Sequence, residues 1–129
     1  MSRSLWVAAF WVALAACTYL ALTPSPPDAV TAFSDVVLHA FAFTVLTFLC
    51  SAAHFRLGYL APALWMLAYG VALELVQGQI AERSAEFGDV LVDLVGIGVG
   101  LVLVRVVGAP AEHLLTWLLN SLGLEERRG

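Results

Sequence analysis

The stretch from residue 90 to residue 107 reads VLVDLVGIGVGLVLVRVV, and only Asp93 and Arg105 carry charge in it. At a rise of 1.5 Å per residue, a helix of about 20 residues crosses the ~30 Å hydrocarbon core of a bilayer. A strand is a poor alternative because the run is long and shows no regular alternation of polar and apolar residues. In lipid, backbone polar groups must also be satisfied internally, which a helix achieves. The stretch therefore predicts a transmembrane helix.

Three further apolar runs precede it, over residues 5–22, 36–53 and 57–76. Hydrophobic residues make up 61% of the 129-residue chain and charged residues only 12%, and the mean hydropathy is +0.90. A soluble domain of this size needs more charge to coat its surface. The sequence therefore predicts an all-α polytopic membrane protein, in which residues 1–129 form a single domain with four transmembrane helices.

Breaks in the apolar pattern separate the runs. Residues 23–28, TPSPPD, predict an extended first loop, residues 54–56 a tight second loop, and residues 78–88 a polar third loop. The triplet Gly-Ala-Pro at 108–110 should end the fourth span. Residues 111–122 are too few to cross a membrane, and their leucines share one helical face. We therefore expect a short C-terminal amphipathic helix at the membrane interface, with a partner-binding helix as the alternative.

All the positive charge of the chain comes from six arginines, which are distributed unevenly. With four spans, the N-terminus, the second loop and the C-terminal tail share one side of the membrane. That side holds Arg3, Arg56, Arg105, Arg127 and Arg128. Arg83 alone lies on the other side, so the positive-inside rule predicts that both termini are cytoplasmic. Six scattered arginines and a net charge of -4 form no phosphate-binding stripe, and nucleic acid is not an expected partner.

Polar residues of the predicted spans collect at one end of the bundle. Each of three spans carries a pair separated by three or four positions, and therefore on one helical face. The pairs are Asp35 and His39, Glu74 and Gln77, and Asp89 and Asp93, with Arg83 and Ser84 in the loop between the last two. Ionisable groups at membrane depth are costly and usually pair, line a cavity or carry function. We therefore predict an extracytoplasmic polar pocket; the alternative is single side chains solvated among lipid head groups.

Among these ionisable residues, Glu74 is the strongest candidate for a functional role, because it interrupts the apolar run LELV at residues 73–76. A carboxylate there needs a partner, for which Arg83 or a proton on Glu74 itself would serve. The carboxylates and His39 could also hold a divalent metal with a water, or act as paired acid and base. No His-x-x-x-His motif or cysteine pair selects a metal, and we expect no resident cofactor.

Glycines mark faces where helices can approach closely. Gly96 and Gly100 form a small-xxx-small pair on the fourth span, and Gly70 lies one turn before Glu74 on the third. Such spacing lets another helix pack against the backbone. We expect these glycines to pack the third and fourth spans together within one chain, and dimerisation is the alternative.

In combination, these motifs resemble the VanZ-like family of small bacterial membrane proteins. The matching residues are Asp35-x3-His39, Gly70-x3-Glu74-x2-Gln77, Arg83-Ser84 and Asp89-x3-Asp93-x2-Gly96-x3-Gly100. The resemblance covers residues from about 5 to 107, and this chain has Asp93 where the family usually has Asn. It implies a place in the bacterial inner membrane and, through the family's namesake, a link to teicoplanin resistance. It marks the polar residues of the predicted pocket but does not say what they do.

Three functions remain open from the sequence. The first is recognition of a cell-envelope lipid or lipid-linked precursor, in glycopeptide resistance or envelope homeostasis. Arg83 would then meet a phosphate or carboxylate, and the acidic residues would accept from hydroxyls or amines. The second is a membrane-embedded enzyme that acts on a lipid-linked substrate with carboxylate and histidine chemistry. The third is an accessory subunit of an envelope complex. The expected partner is membrane lipid, while a homo-oligomer or an envelope protein partner stays open.

Overall fold

The computed structural model describes residues 3–80 and 86–121, with side chains described as far as residue 107 except at residue 55. Within these ranges the chain is helical and contains no strand. The long helices are α1 (Arg3–Leu22), α3 (Asp35–Ala53), α4 (Leu60–Gln77) and α5 (Phe87–Ser121). A single helical turn, α2 (Asp28–Thr31), follows α1, and a 3₁₀ turn (Phe55–Leu57) connects α3 to α4.

Four helices are long and apolar enough to cross a membrane, which confirms the predicted number of spans. They are Arg3–Leu22, Asp35–Ala53, Leu60–Gln77 and Phe87–Val107, with mean hydropathies from 1.4 to 2.5. Large apolar side chains cover their outer surfaces, for example Trp11 on α1, Phe41 on α3 and Val102 on α5. An apolar exterior of this extent suits lipid rather than water. The class defined by the fold is therefore an all-helical membrane protein.

The connections differ from the predicted ones in two places. The first loop is not wholly extended, because the N–H groups of Val30 and Thr31 both donate to the Pro27 carbonyl and form α2. The third span begins at Leu60 rather than at residue 57. Gly58 has a φ of 71°, a left-handed conformation that glycine adopts without steric cost. The chain therefore turns before α4 can begin.

The last helix does not end where the sequence predicts. α5 continues through Gly108 and Pro110 to Ser121, so the expected break at 108–110 is wrong. A proline removes one helical hydrogen bond, but such a loss is tolerated in membrane helices, and the leucine-rich residues after Pro110 favour a helix. Up to residue 121, where the described part of the chain ends, the structure shows no separate C-terminal helix. The amphipathic face predicted for 111–122 falls on side chains outside the described ones.

Helix α3 is the centre of the bundle and packs against α1, α4 and α5. Phe43 and Leu46 of α3 meet Phe10 of α1, Met66 of α4 and Ile97 of α5 in one apolar core. Because all four long helices contribute to this core, the described spans form one unit.

A glycine seam, formed by Gly96 and Gly100, lets α5 contact α3 closely. A Cβ atom built on Gly96 would lie 2.7 Å from the Ala40 carbonyl oxygen, and one on Gly100 would lie 2.7 Å from the Thr44 carbonyl oxygen. The Thr44 hydroxyl bonds the Gly96 carbonyl across the seam at 3.2 Å. The glycines therefore pack helices within one chain, as expected. Their partner is the second span, however, and not the third.

Contacts at the helix ends show that successive long helices run in opposite directions. At one end, the Arg3 side chain donates to the carbonyl of Ala53, which closes α3. At the other end, Gln77 Nε2 donates to the carbonyl of Ala21, 3.0 Å away. This second end, the polar end, therefore combines the last turns of α1 and α4 with the first turns of α3 and α5.

Candidate functional site

His39 is the centre of the polar end, because both of its ring nitrogens face carboxylates. Its Nδ1 lies 2.8 Å from Asp93 Oδ1, and its Nε2 lies 4.0 Å from Glu74 Oε1. The three residues come from α3, α5 and α4 respectively. The structure thus brings together one member of each predicted polar pair.

Asp93 is completely buried, with 0% of its surface exposed. A hydrogen bond that Asp93 accepts from His39 Nδ1 would leave the lone pair of Nε2 on the side of Glu74. The second oxygen, Oδ2, has no hydrogen-bond partner in the region that the structure describes and lies beside Gly70. A Cβ atom at Gly70 would lie only 2.6 Å from it. Because Gly70 has no side chain, it leaves space for the Asp93 carboxylate. This explains why a glycine lies one turn before Glu74.

Glu74 is also buried, with 6% of its surface exposed. Its Oε2 accepts a hydrogen bond from the backbone N–H of Glu86 at 3.2 Å, whereas its Oε1 has no hydrogen-bond partner within residues 3–80 and 86–107. The sequence suggested Arg83 or a proton as the partner of this carboxylate. Arg83 and Ser84 lie within residues 81–85, outside the described part of the chain. Among the described residues, the contacts of Glu74 are a main-chain donor and the imidazole of His39.

Asp89 joins the same group from the first turn of α5. One ligand atom from each of His39, Glu74 and Asp89 lies within 4.8 Å of the others. Glu74 is buried, and His39 and Asp89 are half-buried. Two carboxylates and one imidazole nitrogen at this separation form a set of donors that a divalent cation could bring together.

The other two predicted members of the pocket lie at its edge. Gln77 is buried and uses one of its N–H groups to tie α4 to α1. Asp35 is exposed and lies one turn before His39, nearer the end of the helix. The predicted pairs therefore do not act as pairs. Of Asp35 and His39, only His39 belongs to the cluster, and of Glu74 and Gln77, only Glu74 does.

A groove leads away from the cluster along the bundle. It encloses about 320 Å³, and residues of α1, α2, α3 and α4 line it. Most of its wall is apolar, including Leu20, Val30 and Leu73, and polar side chains enter it where Asp35, His39 and Gln77 lie. Sequence patterns did not predict this groove, because four separate elements form it and no single one shows it.

Two aromatic residues that the sequence patterns did not single out, Phe43 and Tyr69, support the cluster. Phe43 lies one turn after His39, with its ring parallel to the imidazole within 4° and 6.4 Å away. Tyr69 packs against Phe43, and its hydroxyl lies 2.8 Å from that of Thr18 on α1. The four-residue spacing from His39 to Phe43 was the available signal, since it puts both rings on one face.

Comparisons with known proteins leave the family of this chain open. No family model, no curated protein and no solved structure matches the chain. The VanZ-like resemblance therefore stays an inference from the motif residues. The class defined by fold and site is an all-helical membrane protein, with a buried carboxylate–histidine cluster at one end and a groove beside it.

Proposed function

We propose that this protein recognises a membrane lipid, whose acyl chain lies in the groove and whose head group lies at the polar end. The observation that carries the proposal is the course of the groove, which has apolar walls and ends at Asp35, His39 and Gln77. Its volume falls within the range of roughly 300–1,000 Å³ that is typical of sites for small molecules. An apolar chain with a polar terminus matches this distribution of side chains.

Selectivity would come from the head group. An acyl chain that enters the groove exchanges one apolar environment for another, so its transfer contributes little. Glu74 Oε1, by contrast, is a buried acceptor without a partner in the described part of the chain, and an unsatisfied group of this kind costs roughly 1–3 kcal/mol. A head group with hydroxyl or ammonium donors would supply the missing hydrogen bond. The chemistry of the cluster therefore favours a lipid that carries sugar hydroxyls or amines.

Arg83 would add a cation for a phosphate or carboxylate of the same head group. It precedes Asp89 by six positions in the sequence, and a guanidinium can bind such a group through two parallel hydrogen bonds. Gln77 contributes less than its position suggests, because one of its N–H groups already binds the Ala21 carbonyl. A lipid with a phosphate and hydroxyl groups is the class that these residues would select.

The VanZ-like resemblance extends this proposal to the cell. Under it, the protein lies in the bacterial cytoplasmic membrane with both termini in the cytoplasm, and the polar end faces outwards. The ligand is then an envelope lipid or a lipid-linked precursor, and the biological role is envelope homeostasis or resistance to teicoplanin. The arginine distribution supports the orientation.

Native mass spectrometry of protein purified from bacterial membranes in a mild detergent tests the proposal. Wild-type protein should retain one lipid mass that survives mild activation. Glu74→Gln and Arg83→Ala should lose it. Glu86→Gln is the matched control for charge, because Glu86 is exposed and only its backbone N–H contacts Glu74. Arg105→Ala is the control for an arginine near the far end of the fourth span.

Two results would contradict lipid recognition. One is unchanged retention of the lipid in both Glu74→Gln and Arg83→Ala. The other is a broad set of lipids at equal abundance in every variant. The second result would favour the accessory-subunit hypothesis, and co-purifying proteins would then be identified in place of lipids.

A second candidate function is an enzyme that acts on a lipid-linked substrate. It is favoured by the contact of His39 with both the groove and the carboxylates. A neutral imidazole held by Asp93 could accept a proton from a substrate hydroxyl at Nε2, and Glu74 could serve as the second acid–base group. Incubation of the purified protein with the lipid that it retains, and mass analysis for a product, tests this function. His39→Asn should abolish the product while the lipid stays bound.

A further inference from the structure

The geometry points to a divalent-metal site at the polar end, in which His39 Nε2, Glu74 and Asp89 are the ligands and Asp93 is a positioning residue. Ligand atoms of the three residues lie within 4.8 Å of one another. This inference concerns binding of a cation and goes beyond recognition of a lipid. Its ligands come from α3, α4 and the start of α5, so a bound ion would connect three helices.

The unpartnered oxygen of Glu74 is the observation that indicates a ligand. Glu74 is more than nine-tenths buried, and its Oε1 has no hydrogen-bond partner among the described residues. That atom lies 4.0 Å from Nε2 of His39, which is too far for a hydrogen bond. A tetrahedral Zn²⁺ with bonds of about 2.1 Å would hold two such atoms roughly 3.4 Å apart. Small rotations of the two side chains close the difference, and the ion then satisfies both atoms.

Asp93 completes a carboxylate–histidine–metal arrangement. Its bond to Nδ1 at 2.8 Å leaves the lone pair on Nε2 available for a metal and holds the ring in place. The ring also stacks on Phe43, which limits its rotation. Metal-binding histidines in proteins usually show such a second hydrogen bond, and Asp93 lies at the ring nitrogen opposite the one proposed to bind the metal.

Charge balance supports the same assignment. Glu74, Asp89 and Asp93 place three carboxylates near one another within the apolar spans, and the described residues around them offer a single imidazole. A divalent cation offsets two of these negative charges, which reduces their mutual repulsion and the cost of burying them. One nitrogen and two oxygen ligands suit Zn²⁺ or Mn²⁺ better than Cu⁺, which prefers sulfur, or Ca²⁺, which prefers only oxygen.

Three protein ligands leave at least one position of the ion open. Because His39 also lines the groove, a phosphate or hydroxyl of a bound head group could take that position in place of water. This last step rests on the proposed function, whereas the metal site itself does not.

Zn²⁺ alone is the probe for the test. Full-length protein in detergent is stripped with a chelator, titrated with Zn²⁺ by calorimetry, and analysed for metal after gel filtration. We expect about one ion per chain in the wild type and loss of that ion in Glu74→Gln and in Asp89→Asn. Glu86→Gln removes one charge nearby and should bind as the wild type does. Asp93→Asn should keep the site with affinity lowered by about 10- to 100-fold, the effect expected of a positioning residue.

X-ray absorption at the zinc edge distinguishes the proposed ligands from other ones. Only nitrogen and oxygen neighbours at about 2.0–2.2 Å should appear, whereas sulfur at about 2.3 Å would place the ion on Cys17 or Cys50 and refute the site. Absence of bound Zn²⁺ in the wild type, or equal binding in all variants, would also refute it.

Asp89 is half-buried in the first turn of α5, so Asp89→Asn remains informative if Glu74→Gln does not fold. Zn²⁺ bound without any retained lipid would uphold the metal site and refute lipid recognition.

Discussion

Substitution of Gly96 by alanine tests whether the contact between α5 and α3 is as close as the structure has it. The added Cβ atom would lie 2.7 Å from the Ala40 carbonyl oxygen and 2.9 Å from Phe43 Cβ. Ordinary contacts between carbon and oxygen lie at about 3.3 Å or more, so the helices would have to separate by roughly 0.6 Å. Backbone atoms form part of this contact, and a rotamer change cannot relieve it. Overpacking of this kind costs about 1–3 kcal/mol of stability.

Gly98→Ala is the matched control, since it makes the same chemical change on the opposite side of the same helix. A Cβ atom there meets nothing within 4 Å. Alanine favours a helix over glycine by about 1 kcal/mol in both variants, so this contribution cancels when the two are compared. Gly96→Ala should therefore be about 1–3 kcal/mol less stable than Gly98→Ala.

Reversible unfolding in mixed micelles, monitored by tryptophan fluorescence, measures the free energy of unfolding of each variant. The Zn²⁺ affinity of the same samples is a second measurement of the same helix contact. Asp93 lies one turn before Gly96, and His39 directly precedes Ala40. A separation of the helices should therefore lengthen the 2.8 Å bond between His39 and Asp93 and weaken metal binding. Equal stability of Gly96→Ala and Gly98→Ala would refute the close contact, and with it the role assigned to the glycine seam.

Three further predictions address the site and the topology. Gly70→Ala should displace Asp93, because the new Cβ would lie 2.6 Å from Oδ2; the protein should fold, but calorimetry should show Zn²⁺ affinity lowered by about tenfold or more. Tyr69→Phe removes the bond to Thr18 at 2.8 Å and should cost about 0.5–1.5 kcal/mol in the unfolding assay, with Zn²⁺ binding unchanged. Fluorescent reporters that mature only in the cytoplasm should be bright at both termini, and a dark reporter at either one would contradict the orientation inferred from the arginines.

Hydropathy predicted the spans well because the requirement for a helix in lipid is simple. A segment must be about 20 residues long and apolar, and all four runs met that condition, with ends within three residues of the spans in the structure. The predicted C-terminal end of α5 was wrong for a physical reason. Glycine and proline at 108 and 110 lower helical stability locally, but whether they end a helix depends on the residues after them and on the groups that pack there.

The site was predicted only in part. The spacing of residues along a helix determines which of them share a face, but it does not determine which helix packs against that face. Asp35 and His39 share a face of α3, yet only His39 lies deep enough to meet Asp93. Gln77 lies three positions after Glu74, but the position of α1 directs it to a carbonyl of that helix. The small-xxx-small pair likewise indicated a close contact without indicating α3 as the partner. Depth and partner depend on how helices cross, which a single sequence does not specify.

The packing of the bundle and the chemistry of its polar end depend on the same contacts. The glycine seam sets the distance between α3 and α5, and one turn away His39 and Asp93 meet across that interface. Gly70 then admits the Asp93 side chain between α4 and α5. Stability alone gives no reason for buried carboxylates with unpartnered oxygens, since apolar residues of similar size would cost less at that depth. The glycines therefore hold in place a cluster that is costly without a ligand, and a ligand or ion that completes it should also stabilise the helices that carry it.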